Sequence, residues 1–248
     1  MPNDKQKKLI TVTVAERPVE IALNFPRTAA YFERCIAKEE PIAFAELTEE
    51  HIVASRSRYR VEDDDAYLEF CELASAISDA LTPFGVSAFH GAAFLMNGRA
   101  WIFTGPSGTG KTTQYVLWKS LFGEDITMIC GDKPFLERGE DGCVTVHSSI
   151  WRGKENMGNA LKAPLGGIIC LLQSERFYMK RLKPAEAVMP LYRQFLSLRG
   201  DTETVSGLAD MASAIVASTP VYLMENRGSR EDALCGYEYI VKEEKDHE

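Results

Sequence analysis

The residues most able to do chemistry are packed into one stretch, "IFTGPSGTGKTTQ", residues 102 to 114, where glycines, hydroxyls and a lysine follow directly on an apolar run. Gly105, Gly110, Lys111 and Thr112 satisfy the spacing G-x-x-x-x-G-K-[ST], the nucleoside-triphosphate P-loop. A strand that breaks into glycines and then opens a helix is an anion site, because backbone N–H groups and the helix dipole converge on whatever sits there. In that geometry Lys111 pairs with the β- and γ-phosphates, Thr112 ligates Mg²⁺, and the amides of Ser107, Gly108, Thr109, Gly110 and Lys111 wrap the β-phosphate, with Thr113 completing the set. A merely solvated glycine turn would leave the Lys-Thr-Thr helix start without a reason.

Three further positions belong to the same chemistry. The run "ITMIC" reads as a buried strand ending at Gly131-Asp132. A strand, crossover helix and parallel strand bring both strand ends to one edge of the sheet, which carries Asp132 toward the phosphates as a metal-holding acid. "FHGAAFLMNGRAWIFTG" holds Asn97-Gly98 between two apolar runs, the signature of a two-residue hairpin. That turn pairs Met96 with Arg99 and, stepping outward, sets His90 opposite Gly105, where an imidazole could serve as proton or phosphate partner. In "HSSIWRGKEN", residues 147 to 156, Arg152 and Lys154 are candidates for an anion contact, Lys154 the favoured one.

The elements that must position these groups follow from periodicity. "LITVTV" and "VEIALNF" read as a hairpin, "RTAAYFERCIA" as a helix and "PIAFAEL" as a strand. The charged "TEEHIVASRSRYRVEDDD" reads as a surface excursion or flexible connection, and residues 66 to 80 as an amphipathic helix ending near Thr82-Pro83. A boundary there divides the chain into a small N-terminal α+β segment, 1–82, and a nucleotide-binding core, 83–248. In the core, Tyr115, Trp118 and Phe122 mark one face of a helix that stops at Gly123, and the terminal KEEKDHE reads as a fraying end. The hairpin also gives the glycine-loop strand an antiparallel neighbour, so the fold class is α/β with a mixed sheet instead of a purely parallel one.

The remaining composition narrows the function classes. The 248 residues are 45% hydrophobic and 26% charged, ordinary for a globular chain with a generous core. A net charge of −8 argues against a nucleic-acid partner. The start MPNDKQKK has no apolar core behind it, and no run of apolar residues is long enough to span a bilayer, which predicts a cytoplasmic protein without a membrane partner. Six cysteines without a C-x-x-C pair, most of them in apolar runs, read as reduced and structural. Oligomeric state is left open.

Taken together, the H-G dipeptide before a hairpin, G-P-S-G-T-G-K-T, a strand ending in D-K-P, then W-x-G-K and the apolar "PLGGIICL" resemble the HPr serine kinase and phosphoenolpyruvate-carboxykinase-like superfamily. The resemblance runs over about Phe84 to Leu196, more loosely to "PVYLMENRGSREDAL", and is nearest to short HPr-kinase-related proteins that include peptide-tailoring serine kinases. It implies a P-loop kinase core using ATP and Mg²⁺, with Lys111, Asp132 and His90 in catalysis and Thr112 and Asp132 on the metal. The acceptor would be a hydroxyl, serine among them, on a peptide, protein or small molecule. Those kinases carry two adjacent aspartates at the strand end, one assigned as general base, where this chain has Gly131-Asp132. The competing expectation is therefore a nucleotide-responsive binding protein with the same fold and little transfer. A GTP switch is disfavoured, since no N-K-x-D motif occurs.

Overall fold

The computed structural model describes residues 7–56 and 64–246. The chain forms two compact units, one of Met1–Ala88 with Leu196–Gly207 and one of Phe89–Phe195 with Leu208–Glu248.

In the first unit β1 (Lys8–Val14) and β2 (Arg17–Leu23) form the expected hairpin, and β3 (Ala43–Glu46) joins β2 in parallel. The turn is two residues long: Ala15 and Glu16 at φ 47° and 62° close it, the positive angles that a two-residue primed turn demands. The stretch expected as a helix is a 3₁₀ helix, Pro26–Cys35. The charged stretch expected as a surface excursion contains a helix, α1 (Glu49–Ser55), because Thr48 caps it and His51 bonds back to the Thr48 amide. The rest of that stretch, residues 57–63, lies outside the described residues. Next come α2 (Asp65–Leu81), capped by Asp64, and the short β4 (Val86–Ala88). Two buried carboxylates of α2 organise this unit. Glu69 accepts from the Asn24 and Phe25 amides and from Thr28 Oγ1. Asp79 accepts from the Leu198 and Arg199 amides and from Ser197 Oγ.

The second unit is a mixed α/β layer structure. Its elements are β5 (Gly91–Met96), β6 (Arg99–Thr104), α3 (Lys111–Phe122), β7 (Ile126–Cys130), β8 (Phe135–Arg138), β9 (Val144–His147), β10 (Lys162–Gln173), β11 (Tyr178–Arg181), α4 (Pro184–Tyr192), α5 (Thr202–Ser218, in this unit from Leu208), β12 (Val221–Asn226) and α6 (Arg230–Asp246). The strands run β8-β9-β10-β6-β5-β7, with β12 on β10 and β11 on β12. Asn97-Gly98 turns β5 into β6 in the expected register, Met96 opposite Arg99 through Gly91 opposite Thr104. Both β6 and β7 run antiparallel to β5, while β10 is parallel to β6 and β12 to β10. The carboxyl ends of β6, β7, β10 and β12 therefore share one edge.

Alternation along the strands fills both faces. Ala100, Ile102 and Ile168 join a core with Leu191 of α4 and Met211 and Ile215 of α5. Trp101, Phe103 and Ile169 join the other, with Trp118 of α3 and Ile240 of α6. Two glycines in "PLGGIICL" are there for Trp101: a Cβ on Gly167 would stand 2.2 Å from its ring. The C-terminal charges expected to fray continue α6 through Asp246.

Candidate functional site

The glycine-rich loop leaves β6 at Thr104 and enters α3 at Lys111. Gly105 has φ +145°, and a Cβ there would stand 2.8 Å from the Leu171 carbonyl on β10, so the loop lies against the next strand in a way only glycine permits. Helix α3 opens on Gly110 in the left-handed region with no side-chain cap, which leaves its first amides uncommitted to any capping group. Lys111 Nζ lies over the loop, donating to the Gly105 and Pro106 carbonyls at 3.0 and 3.1 Å. Thr109 Oγ1 donates to the Pro106 carbonyl, and Gln173 Nε2, from the end of β10, to Gly108 at 2.9 Å. Ser107 and Thr113 are exposed and Thr112 is half-buried at the helix start. The buried Gln114 donates to Asn226 Oδ1 at 2.9 Å, which ties the first turn of α3 to the end of β12.

Asp132 follows β7 at the same edge. The Gly91 amide donates to its carbonyl at 2.8 Å, which sets His90 beside it, and His90 Nε2 stands 3.7 Å from Asp132 Oδ1. Burial holds the His90 imidazole below its ordinary value, and the nearby Lys111 ammonium adds to that while Asp132 opposes it. Lys111 is likewise lowered by burial and raised by Asp132. The three side chains thus lie within electrostatic reach of one another at the mouth of the loop. Among the described residues no group of three or more His, Cys, Asp or Glu side chains could hold a metal by itself. Thr112 at the start of α3 and Asp132 after β7 are the oxygen-bearing side chains that could hold Mg²⁺, a cation that takes few protein ligands at nucleotide sites.

A strap following β9 holds the Asp132 turn from outside. Gly131 N–H donates to Met157 O at 2.9 Å, Lys133 N–H to Trp151 O at 3.1 Å, and Ser149 Oγ to Lys133 O at 2.6 Å. A Cβ on Gly131 would stand 2.7 Å from the Arg152 carbonyl and 3.0 Å from that of Met157, so the strap occupies the place of any side chain there. Arg152 is turned into the strap, its Nε donating to the Ser149 carbonyl at 3.2 Å. Lys154 is exposed and makes no hydrogen bond or ion pair with the described residues. Its neighbour Gly153 faces Asp132, with a built Cβ 3.3 Å from Asp132 Cβ, so the turn carrying Lys154 borders the acid.

Sequence reasoning missed Gln173 and Gln194. His90 N–H donates to the Gln194 carbonyl at 2.8 Å, and the Gln194 side chain favours the protonated imidazole. No spacing signals such a contact, since it depends on how the chain after α4 meets Phe89.

No family model matches the chain, and no curated protein matches it. Among solved structures it is similar to the HPr(Ser) kinase/phosphatase from Coxiella burnetii, at 11% sequence identity over 64% of this chain and 94% of that one, with a TM-score of 0.35. That likeness is a distant one of fold. Among the described residues no helix is long and apolar enough to cross a membrane.

Proposed function

We propose that the chain is an HPr-kinase-like phosphotransferase that uses ATP with Mg²⁺ and moves the γ-phosphoryl group to a hydroxyl, serine being the acceptor group we assign, on a peptide, protein or small molecule. The observation that carries this reading is the meeting of Lys111, Asp132 and His90 at the end of a glycine-rich loop that opens a helix. Phosphoryl transfer asks for positioning and charge neutralisation more than for covalent chemistry, and this set provides both. The loop amides and Lys111 hold the β- and γ-phosphates. Thr112 and Asp132 would hold Mg²⁺, which supplies neutralisation of the charge that develops on the phosphate oxygens. The acceptor oxygen forms its bond to the γ-phosphorus as the bond to ADP breaks, and the hydroxyl proton passes to His90 or Asp132.

The experiment is transfer from labelled ATP to serine-containing peptides and free serine, with wild type and Asp132→Asn across a range of Mg²⁺ concentrations. Transfer by wild type and its loss in the variant, with metal-free nucleotide binding retained, is the expected result. Equal transfer by both would place the acid elsewhere. Nucleotide binding by wild type with no transfer to a broad acceptor panel would favour the nucleotide-responsive binding protein.

A further inference from the structure

The apolar columns of β10 and β12 end in amides. Ile169 and Leu171 on β10, with Tyr222 and Met224 on β12, face the core that α3 covers. The next residues in those columns are Gln173 and Asn226, register partners at the ends of the two parallel strands. Both bond to the chain between the glycine-rich loop and α3. Gln173 Nε2 donates to the Gly108 carbonyl at 2.9 Å. The buried Asn226 joins three segments: its Nδ2 donates to the Leu172 carbonyl at 3.2 Å, and its Oδ1 accepts from Gln114 Nε2 at 2.9 Å and from the Gly228 amide at 3.0 Å. The Gly228 amide decides which end of Asn226 faces α3, and so orients Gln114 as well, since the reversed amide would set oxygen against oxygen. Gln114 Oε1 is then buried without a partner among the described residues. An orphaned acceptor is a cost that an apolar side chain would not carry, so this amide is explained by its bond to Asn226 and not by packing.

We propose that Gln173, Asn226 and Gln114 are positioning residues for phosphate: they fix the segment from Gly108 to Gln114 at its two ends, so that Lys111 and Thr112 between them meet the phosphates already in place. The inference rests on the phosphate reading of the loop. A segment with glycines at 108 and 110 has much freedom to lose on binding, and a segment fixed beforehand loses less of it at that moment. Amides suit the task because they tie down backbone and helix without a charge that would repel the phosphates or compete with Lys111. The fixing strands are those on the far side of β6 from Asp132, which leaves the acid's side of the loop open to the acceptor.

The test pairs titration calorimetry with urea unfolding on the full-length chain, wild type against Gln173→Ala and Gln114→Met. Gln173 is exposed, and Gln114→Met keeps the length of the side chain, removes the orphaned acceptor and leaves Asn226 Oδ1 its bond from Gly228. Both variants should therefore unfold at the wild-type urea midpoint. Each should bind ATP and ADP with Mg²⁺ about fivefold more weakly, by the same factor for both nucleotides because the loop grips the β-phosphate that they share. In the labelled-ATP assay the loss should appear in KM for ATP, with kcat within about twofold of wild type. A wild-type affinity in either folded variant would overturn the proposal, and a lowered urea midpoint with unchanged affinity would mark the bonds as merely structural. If Gln114→Met does not fold, Gln173→Ala decides alone. Calorimetry needs no turnover, so a chain that binds nucleotide and transfers no phosphate refutes the kinase reading alone. A wild type that binds neither nucleotide refutes the phosphate reading, and this inference with it.

Discussion

The Gly91 amide and the Asp132 carbonyl share a 2.8 Å hydrogen bond, so the strand start that carries His90 and the turn that carries Asp132 are joined by backbone alone. The Asp132 carboxylate, side chain partly exposed, is not what holds that junction. Asp132→Asn should therefore leave stability within about 0.5 kcal/mol of wild type, as for a surface substitution away from structural contacts. Urea unfolding of wild type and variant checks this, and a loss several times larger would show that the carboxylate is structural.

Among the described residues, Lys111 is the one cation placed over the loop carbonyls by two hydrogen bonds from its Nζ. Charge-assisted contacts to phosphate oxygens are worth about 2 kcal/mol, so Lys111→Ala should weaken ATP binding by about 30-fold. Titration calorimetry reads this directly. An unchanged affinity would remove the phosphate reading of the loop.

Much of this site was legible because its signals are local. Asn97-Gly98 admits one turn geometry, and from it the register that sets His90 near the loop follows by counting. Glycine loop, lysine and helix start are contiguous, and a crossover helix leaves little choice of edge for Asp132. What escaped reading depends on distant partners. Leu196–Gly207 joins the N-terminal unit because Asp79, far earlier in the chain, accepts from its amides. The strap at residues 148–159 has no periodicity; it is held by single bonds from Ser148, Ser149 and Asn159 to β7 and the turn after it. Helix α1 was hidden by its charge, since the Thr48 cap and His51 decide it more than any apolar stripe.

Asp79 gives the first unit a pH dependence of definite sign. Burial raises its carboxyl above the ordinary aspartate value, against the bonds from Ser197, Leu198 and Arg199 that lower it. A raised folded-state pKa means that the folded chain binds the extra proton first. Its contribution is fully present below the unfolded pKa and is lost as pH rises through the folded one. Stability of wild type relative to Asp79→Asn should therefore grow as pH falls toward the ordinary aspartate range, opposite to an ordinary salt-bridged aspartate. Urea midpoints at closely spaced pH values decide the sign.

Glu69 is wholly buried, yet it accepts from Asn24 N at 2.6 Å, Asn24 Nδ2 at 2.9 Å, Phe25 N at 3.1 Å and Thr28 Oγ1 at 2.6 Å. Removing it strands the Asn24 and Phe25 amides at the start of the 3₁₀ helix, while Thr28 Oγ1 keeps the Ala66 carbonyl at 3.2 Å. Each buried orphan costs on the order of 1 kcal/mol or more, so Glu69→Ala should lose about 2 kcal/mol. Denaturant titration followed by circular dichroism measures it. A loss under about 1 kcal/mol would mean that water reaches those donors.

The last expectation concerns Gly131, where the resembling kinases carry an aspartate. The obstacle is backbone: the Arg152 carbonyl lies 2.7 Å and the Met157 carbonyl 3.0 Å from where a Cβ would stand; Met157 O accepts from Gly131 N–H, and the Arg152 carbonyl follows Trp151, whose own carbonyl accepts from Lys133 N–H. Carbonyls so held cannot swing aside as a side-chain tip would. The clash begins at Cβ, so Gly131→Ala and Gly131→Asp should lose similar stability, about 2 kcal/mol, the scale of overpacking a close-fitted interior. Because the strap also borders Asp132 through Gly153, forcing it outward should lower transfer in both variants instead of raising it in the one that restores an acid. Urea unfolding and the labelled-ATP assay on the two variants decide the matter. A stable Gly131→Asp chain with faster transfer would mean that the site accepts a second carboxylate as base, and the assignment of the proton to His90 or Asp132 would fall with it.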